Sequence, residues 1–199
     1  MFRLFGFFPG NILALVSFTL MLSGNAYAHA GHEINSAGFL AGLTHPLLGL
    51  DHIVAMIAIG LWSMSQAPKF RPWVPLYATL GMLLGAMSAW VGLVIPAMEF
   101  VIAMSVVLTG VLVFTLAKFP APLGASVVVL FLFCHGHAHG SEMPVGIASW
   151  AYLAGFLVTT LIITYVARRV GYLLISSEKR LLHMAGVAIT ALGALFAIG

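Results

Sequence analysis

Three ionisable side chains interrupt a long apolar stretch near the start of the chain. His45, Asp51 and His52 lie within the run from Ala37 to Met64, which is otherwise almost entirely apolar. Ionisable groups are costly in hydrocarbon, so they usually face a protein interior or a water-filled cavity and mark a functional site. On a continuous helix, His45 and His52 project from one face, and Asp51 lies about 100° from it. Imidazole nitrogens combined with a carboxylate oxygen favour a borderline divalent cation such as nickel, cobalt or zinc.

A second group of polar residues lies near the end of a later apolar stretch. It contains His135, His137 and His139, followed by Glu142. On a helix, His135 and His139 are one turn apart and share a face, whereas His137 points away from it. Glu142 continues that face if the helix persists past Gly140. Two histidines one turn apart can clamp a metal ion, and a short His-rich tract is a compositional sign of metal binding. The pattern predicts His135, His139 and Glu142 as further ligands.

Each group also has a simpler interpretation. An intramembrane histidine can hydrogen-bond a neighbouring helix and serve packing alone. Chains of Asp and His side chains also build proton relays, and a polar helix end can simply face water. Two such groups in one short chain are harder to explain in these ways, and together they favour a shared metal site.

The composition indicates an integral membrane protein. Of 199 residues, 62% are hydrophobic and 7% are charged, and the mean hydropathy is +1.11. A soluble domain has about 25% charged residues. The net charge of +3 comes from few, scattered basic residues, so the expected partner is the lipid bilayer and not a nucleic acid. The single cysteine, Cys134, excludes an intrachain disulfide.

The N-terminal segment is typical of a secretory signal peptide. Arg3 supplies a positive charge, Ile12 to Leu22 an apolar core, and Ala26 to Ala28 a small-residue cleavage site. We therefore predict that residues 1–28 are removed and that cleavage follows Ala28. An uncleaved first helix is the alternative.

The mature chain would begin with a short polar tail. Its first residue, His29, is followed closely by His32 and Glu33. A free amine beside two imidazoles and a carboxylate could collect a metal ion, so His29 and His32 are weaker candidate ligands. The same residues also fit an ordinary polar tail.

Six apolar spans follow, and each is long enough to cross a bilayer, for which about 20 residues suffice. They run from Ala37 to Met64, Pro72 to Leu93, Ala97 to Ala117, Ala121 to His139, Val145 to Ala167 and Leu181 to Ile198. The first is too long for one straight crossing and contains Pro46, a residue suited to a first helical turn. We therefore predict a break near Thr44 to Pro46, with Pro46 to Met64 as the crossing helix. The expected fold is all-α: a polytopic bundle of six transmembrane helices forming a single domain, residues 29–199.

The distribution of basic residues predicts the topology. If the mature N-terminus is outside, every Lys and Arg of the mature chain falls on the inner side, as the positive-inside rule requires. These residues are Lys69, Arg71, Lys118, Arg168, Arg169, Lys179 and Arg180. Both mature termini are then predicted to lie on the outer side, which is the periplasmic side if the membrane is the inner (plasma) membrane of a bacterium. Both polar groups then lie in the outer half of the bilayer, where we predict that they line one polar cavity.

The two motifs resemble those of the HupE/UreJ family of membrane proteins. The family pattern His-x5-Asp-His is matched by His45, Asp51 and His52. Its second pattern, Phe-His-Gly-x-Ala/Val-His-Gly-x-Glu, is matched from His135 to Glu142, with His137 at the variable position. The departure is Cys134 in place of phenylalanine, which we interpret as a small hydrophobic residue. The resemblance implies uptake of nickel, or cobalt, for hydrogenase or urease.

These observations predict a permease and not an enzyme. The sequence has no G-x-x-x-x-G-K-[ST] phosphate loop. A dication moving to a negative interior gains roughly 4.6 kcal/mol per 100 mV, twice the single-charge value. We therefore expect Ni²⁺ (or Co²⁺) to be a transported substrate, with no catalytic residues and no tightly bound cofactor. Glu99, near the outer face, could attract cations. A homo-oligomer is compatible with the sequence.

Two other functions fit the same residues. An intramembrane zinc hydrolase would hold its metal with His135, His139, Asp51 and another histidine, and would use Glu142 as its base. A metal sensor or chaperone would bind the ion without moving it. The residues alone leave nickel, cobalt and zinc open.

Overall fold

The computed structural model describes residues 34–143 and 147–198, and all regular structure in these ranges is helical. The α-helices are α1 (Ile34–Thr44), α2 (Leu50–Trp62), α3 (Val74–Trp90), α4 (Met98–Thr115), α5 (Ala121–Glu142), α6 (Ile147–Ser177) and α7 (Lys179–Ile198). The prediction of an all-α polytopic membrane bundle is confirmed. The predicted signal peptide and the weaker candidate ligands His29 and His32 lie outside the described residues.

The helices account for the predicted spans. In the described ranges, five segments are long and apolar enough to cross a bilayer: Arg71–Trp90, Met98–Thr115, Ala121–Glu142, Ser149–Ser176 and Lys179–Ile198. A sixth span results if the pair Gly38–Leu47 and Leu50–Ser65 is counted as one, although it is bent by 73°.

The bend lies between the two residues of the first motif that were expected to share a helical face. His45–Leu47 forms a 3-10 turn, and Gly49 then adopts an extended conformation (φ −90°, ψ 113°) before α2 begins. The predicted break is therefore present, but the crossing helix begins at Leu50 and not at Pro46. Because the proline ring and the extended glycine interrupt helical hydrogen bonding, His45 and His52 lie on opposite sides of a bend.

The fifth span, predicted from Val145 to Ala167, stops ten residues short of the end of the helix that the structure shows there. Helix α6 continues past Ala167 to Ser177, so Arg168 and Arg169 lie on a helix and not in a loop. Its 31 residues extend about 46 Å, beyond a hydrocarbon core of roughly 30 Å. A helix that leaves the hydrocarbon can carry arginines without ending, which hydropathy alone does not reveal.

Glycines bring α5 close to α3 and orient the second motif. A Cβ added at Gly85 would collide with the backbone oxygen of Phe133, and one added at Gly136 would collide with the backbone of Met82. Small residues at such positions let membrane helices approach closely. Because Gly136 faces α3, His135 and His139 face other parts of the bundle.

Candidate metal site

His139 is the centre of a histidine cluster that joins the two sequence motifs. Its Nδ1 lies 2.7 Å from Nε2 of His45 and 3.2 Å from Oε2 of Glu142. Its ring lies 3.9 Å, between centroids, from the nearly perpendicular ring of His52. The first and fourth predicted spans therefore meet, as expected from the sequence. His45 reaches the cluster from its 3-10 turn, despite the bend.

Two overlapping groups of donor atoms fit a metal ion, and His139 belongs to both. One group is His45, His139 and Glu142; the other is Asp51, His52 and His139, and within each the donor atoms lie within 4.8 Å of one another. Two nitrogens bound to one ion at about 2.1 Å each are at most about 4.2 Å apart. Small side-chain movements would therefore bring either group into a coordination shell.

The two groups differ in depth. The exposed fraction of the side chain is 62% for Glu142, 31% for His45 and 12% for His139, and His52 is fully buried at 0%. The first group thus lies nearer the protein surface, and the second includes the fully buried His52 beside the half-buried Asp51. An ion entering at Glu142 would exchange solvent for protein ligands gradually.

Several nitrogens of this cluster are buried without a hydrogen-bond partner among the described residues. They are both ring nitrogens of His52, Nδ1 of His135 and Nε2 of His139. A buried polar atom without a partner costs about 1–3 kcal/mol, and most such atoms in native proteins are satisfied. A bound cation would satisfy the lone pairs of these imidazoles, so the donor set fits a transition metal better than it fits simple helix packing.

The hydrogen bonds of Ser105 fix which nitrogen of His135 is free. Oγ of Ser105 lies 2.7 Å from the carbonyl oxygen of Ile102 and 2.9 Å from Nε2 of His135. A hydroxyl has one proton, and the carbonyl can only accept. Ser105 therefore donates to Ile102 and accepts from Nε2–H of His135. The lone pair of His135 is then on Nδ1, the buried atom without a partner, and its ring lies 5.1 Å from that of His52.

His137 lies apart from this cluster. Its Nδ1 is 2.8 Å from Oγ of Ser88 on α3, and its ring stacks on Phe133 at 6.3 Å. Ser88 donates to the carbonyl of Gly85 at 2.6 Å, so it accepts from His137. The same hydrogen-bond pattern as at Ser105 therefore recurs at His137, which belongs to neither donor group found among the described residues. The helical geometry predicted that His137 would point away from His135 and His139.

Aromatic residues that the sequence analysis missed form one wall of the cluster. Phe156 on α6 lies 5.2 Å from His52, 5.7 Å from His139 and 6.1 Å from His45, between ring centroids. Tyr152, one turn earlier, lies 5.6 Å from His45. Both belong to an apolar span, where an aromatic residue gives no sign of a nearby site. Ser105 was missed for a similar reason, since a serine in such a helix usually bonds only its own backbone.

A cavity beside the cluster has two acidic residues in an otherwise apolar lining. It has a volume of about 350 Å³, lies between α2, α4 and α7, and includes Asp51, Glu99 and Ile102 in its lining. The prediction of one open polar cavity lined by all histidines of the cluster is wrong, because His52 and His135 are fully buried and the histidine rings pack against one another. Asp51 belongs both to this cavity and to the donor group that it forms with His52 and His139. Cys134 lines a separate apolar cavity with residues such as Phe131, which supports its interpretation as a small hydrophobic residue.

Comparisons with known proteins agree with the resemblance of the motifs. A family model described as HupE / UreJ protein matches residues 16–196. Protein HupE of Rhizobium leguminosarum bv. viciae is 35% identical over 181 residues, which cover 90% of this chain and 94% of that protein. No solved structure matches the chain.

Proposed function

The chain belongs to the HupE/UreJ family, and from this premise we propose that it is a permease for Ni²⁺, or Co²⁺, that works without ATP. The observation that carries the proposal is the position of His139 in two donor groups at different depths. A ligand shared by two groups lets an ion move inward without being released into hydrocarbon.

Transfer would begin at the exposed carboxylate of Glu142 and proceed through His45 and His139 to Asp51 and His52. At each step a protein ligand replaces either a water molecule or the previous protein ligand, so the dication is never without ligands. The carboxylate in each group offsets part of the charge that the ion would otherwise bring into a poorly solvated site. A negative interior supplies the driving force, roughly 4.6 kcal/mol per 100 mV for a dication.

The ligand types favour borderline transition metals. Imidazole nitrogens predominate over carboxylate oxygens, whereas Mg²⁺ and Ca²⁺ prefer sites made entirely of oxygens. The proposed direction is inward across a bacterial inner membrane, with the histidine cluster towards the periplasm and both mature termini on that side.

Proteoliposomes test the proposal directly. Purified protein is reconstituted, a potential negative inside is imposed, and accumulation of Ni²⁺, Co²⁺, Zn²⁺ and Mg²⁺ is compared with that in empty liposomes. We expect Ni²⁺ or Co²⁺ to accumulate only with protein present and in proportion to the potential. Tight metal binding without accumulation would contradict transport and favour a sensor or chaperone.

Ser105 provides a test of the ligand assignment from outside both motifs. His135 belongs to neither donor group, but its buried Nδ1 has no partner among the described residues and its ring lies 5.1 Å from that of His52, so we propose it as a further ligand beside the inner group. We then expect Ser105→Ala to weaken metal binding about tenfold or more, because partners that orient a ligating histidine contribute 10–100-fold. Ser105→Thr keeps the hydroxyl and should restore most of the affinity. Metal titration by calorimetry in detergent measures both variants.

The matched control is Ser88→Ala, which removes the equivalent hydrogen bond from His137. It should leave metal affinity unchanged. If Ser88→Ala and Ser105→Ala lowered metal affinity equally, the two serines would only support packing. The assignment of the free lone pair of His135 to Nδ1 would then have no functional support.

Glu142 is expected to contribute mainly by attracting ions. Its side chain is 62% exposed, so Glu142→Gln should reduce uptake by less than removal of a buried ligand. The effect should shrink as salt is raised, because screening weakens interactions of exposed charges. Initial uptake rates measured at low and high ionic strength check this. A severe loss that does not depend on salt would instead make Glu142 an essential ligand.

A further inference from the structure

Three arginines share a cavity far from the histidine cluster. Arg71, Arg168 and Arg169 line a volume of about 250 Å³ between the turn after α2 and the later part of α6. Arg168 is twelve residues beyond Phe156, which contacts the histidines, and this places it about 18 Å further along the helix. The cavity is therefore separate from the proposed metal path.

Contacts with neighbouring groups hold these side chains in place. Nε of Arg71 donates to the carbonyl of Gln66 at 2.7 Å, and Nε of Arg169 donates to the hydroxyl of Tyr165 at 3.0 Å. The guanidinium carbons of Arg168 and Arg169 lie 5.2 and 5.3 Å from the centre of the Tyr165 ring. Cation–π contacts of this kind fix the orientation of both groups. Arg71 and Arg168 are half-buried and Arg169 is exposed, and each has a contact that restrains its side chain.

No counter-charge for them is found in the part of the chain that the structure describes. The ion pairs in that part involve only histidines and Glu142. In addition, Nε of Arg168 is buried and has no hydrogen-bond partner there. Like charges that line one cavity repel, and a buried N–H without an acceptor is unfavourable. Both features point to an anionic acceptor as the missing component.

We propose that this cavity binds the phosphate of an anionic phospholipid. The planar fork of arginine matches phosphate oxygens with paired hydrogen bonds, and basic pockets between membrane helices are suited to lipid headgroups. An exposed apolar stripe on α6, formed by Val158, Leu161 and Tyr165, leads from the arginines towards the other end of the bundle. An acyl chain would lie along this stripe, which a free phosphate ion would not require.

The test uses the full-length protein purified in detergent. Phosphatidylglycerol, phosphatidylcholine and inorganic phosphate are added separately, and binding is followed by native mass spectrometry and by the midpoint of thermal unfolding. We expect phosphatidylglycerol to bind and to raise the midpoint, whereas phosphatidylcholine and inorganic phosphate do neither. Arg168→Gln should weaken the binding of phosphatidylglycerol about tenfold or more, since a charge-assisted hydrogen bond is lost.

The matched control is Arg180→Gln, which removes the same charge from an exposed position at the start of α7, outside the cavity. It should bind phosphatidylglycerol like the unmodified protein. Equal weakening by Arg180→Gln and Arg168→Gln, or equal binding of phosphatidylcholine, would overturn the site. If inorganic phosphate raises the midpoint of thermal unfolding and Arg168→Gln abolishes this effect, the proposal of a lipid is wrong and the cavity binds a free anion instead. If Arg168→Gln fails to fold, Arg71→Gln and Arg169→Gln decide by the same criteria. None of these outcomes depends on metal transport.

Discussion

His139→Ala is expected to abolish metal uptake, lowering it to the rate of empty vesicles. His139 is the donor common to the outer and inner groups, so its loss leaves two ligands in each. His45→Ala and His52→Ala each remove a ligand from one group only, and they should retain more metal binding than His139→Ala does. Nickel uptake into proteoliposomes, together with the stoichiometry of bound metal in detergent, measures this difference.

His137, two residues before His139, provides a matched control. His137→Ala removes an imidazole from the same helix, but this imidazole bonds Ser88 and stacks on Phe133. It should transport at nearly the unmodified rate, with some loss of stability because His137 is only 5% exposed. Variants are compared at equal membrane abundance. If His137→Ala were as damaging as His139→Ala, the active face of α5 would be wrongly assigned.

The face of α5 could be predicted because α5 is a regular helix through the whole second motif. Spacing on a regular helix determines direction, so the different positions of His139 and His137 followed from residue numbers alone. The first motif shows the limit of this reasoning. Its spacing also suggested a shared face, yet the 3-10 turn and Gly49 lie between His45 and His52. The two side chains nevertheless converge, because packing of α5 brings His139 between them.

Side-chain contacts between helices that are far apart in the chain could not be predicted from the sequence. Ser105 accepts a hydrogen bond from His135, which depends on how α4 packs against α5. Phe156 packs against His52, which depends on how α6 packs against α2. Periodicity describes one helix at a time, and it contains no information on which neighbour a serine or phenylalanine contacts. The extension of α6 to Ser177 was missed because hydropathy locates the hydrocarbon boundary and not the helix end.

Asp51→Asn is expected to be nearly as severe as His139→Ala, although it preserves the shape of the side chain. Asp51 is the only carboxylate in the inner donor group, where its companions are the neutral imidazoles of His52 and His139. Without it, a dication would enter a buried site with its full charge uncompensated, and that desolvation is strongly unfavourable. Asp51→Glu keeps the charge and should recover part of the uptake.

Two measurements separate this role from a structural one. Asp51 lies in the first turn of α2, where a negative charge stabilises a helix by about 0.3–1 kcal/mol, so thermal unfolding of Asp51→Asn should show only a small decrease. Glu99→Gln removes a carboxylate from the same cavity, but Glu99 is exposed and lies outside both donor groups. It should retain most of the uptake. Near-normal transport by Asp51→Asn would contradict the assignment of Asp51 as a required ligand of the proposed path.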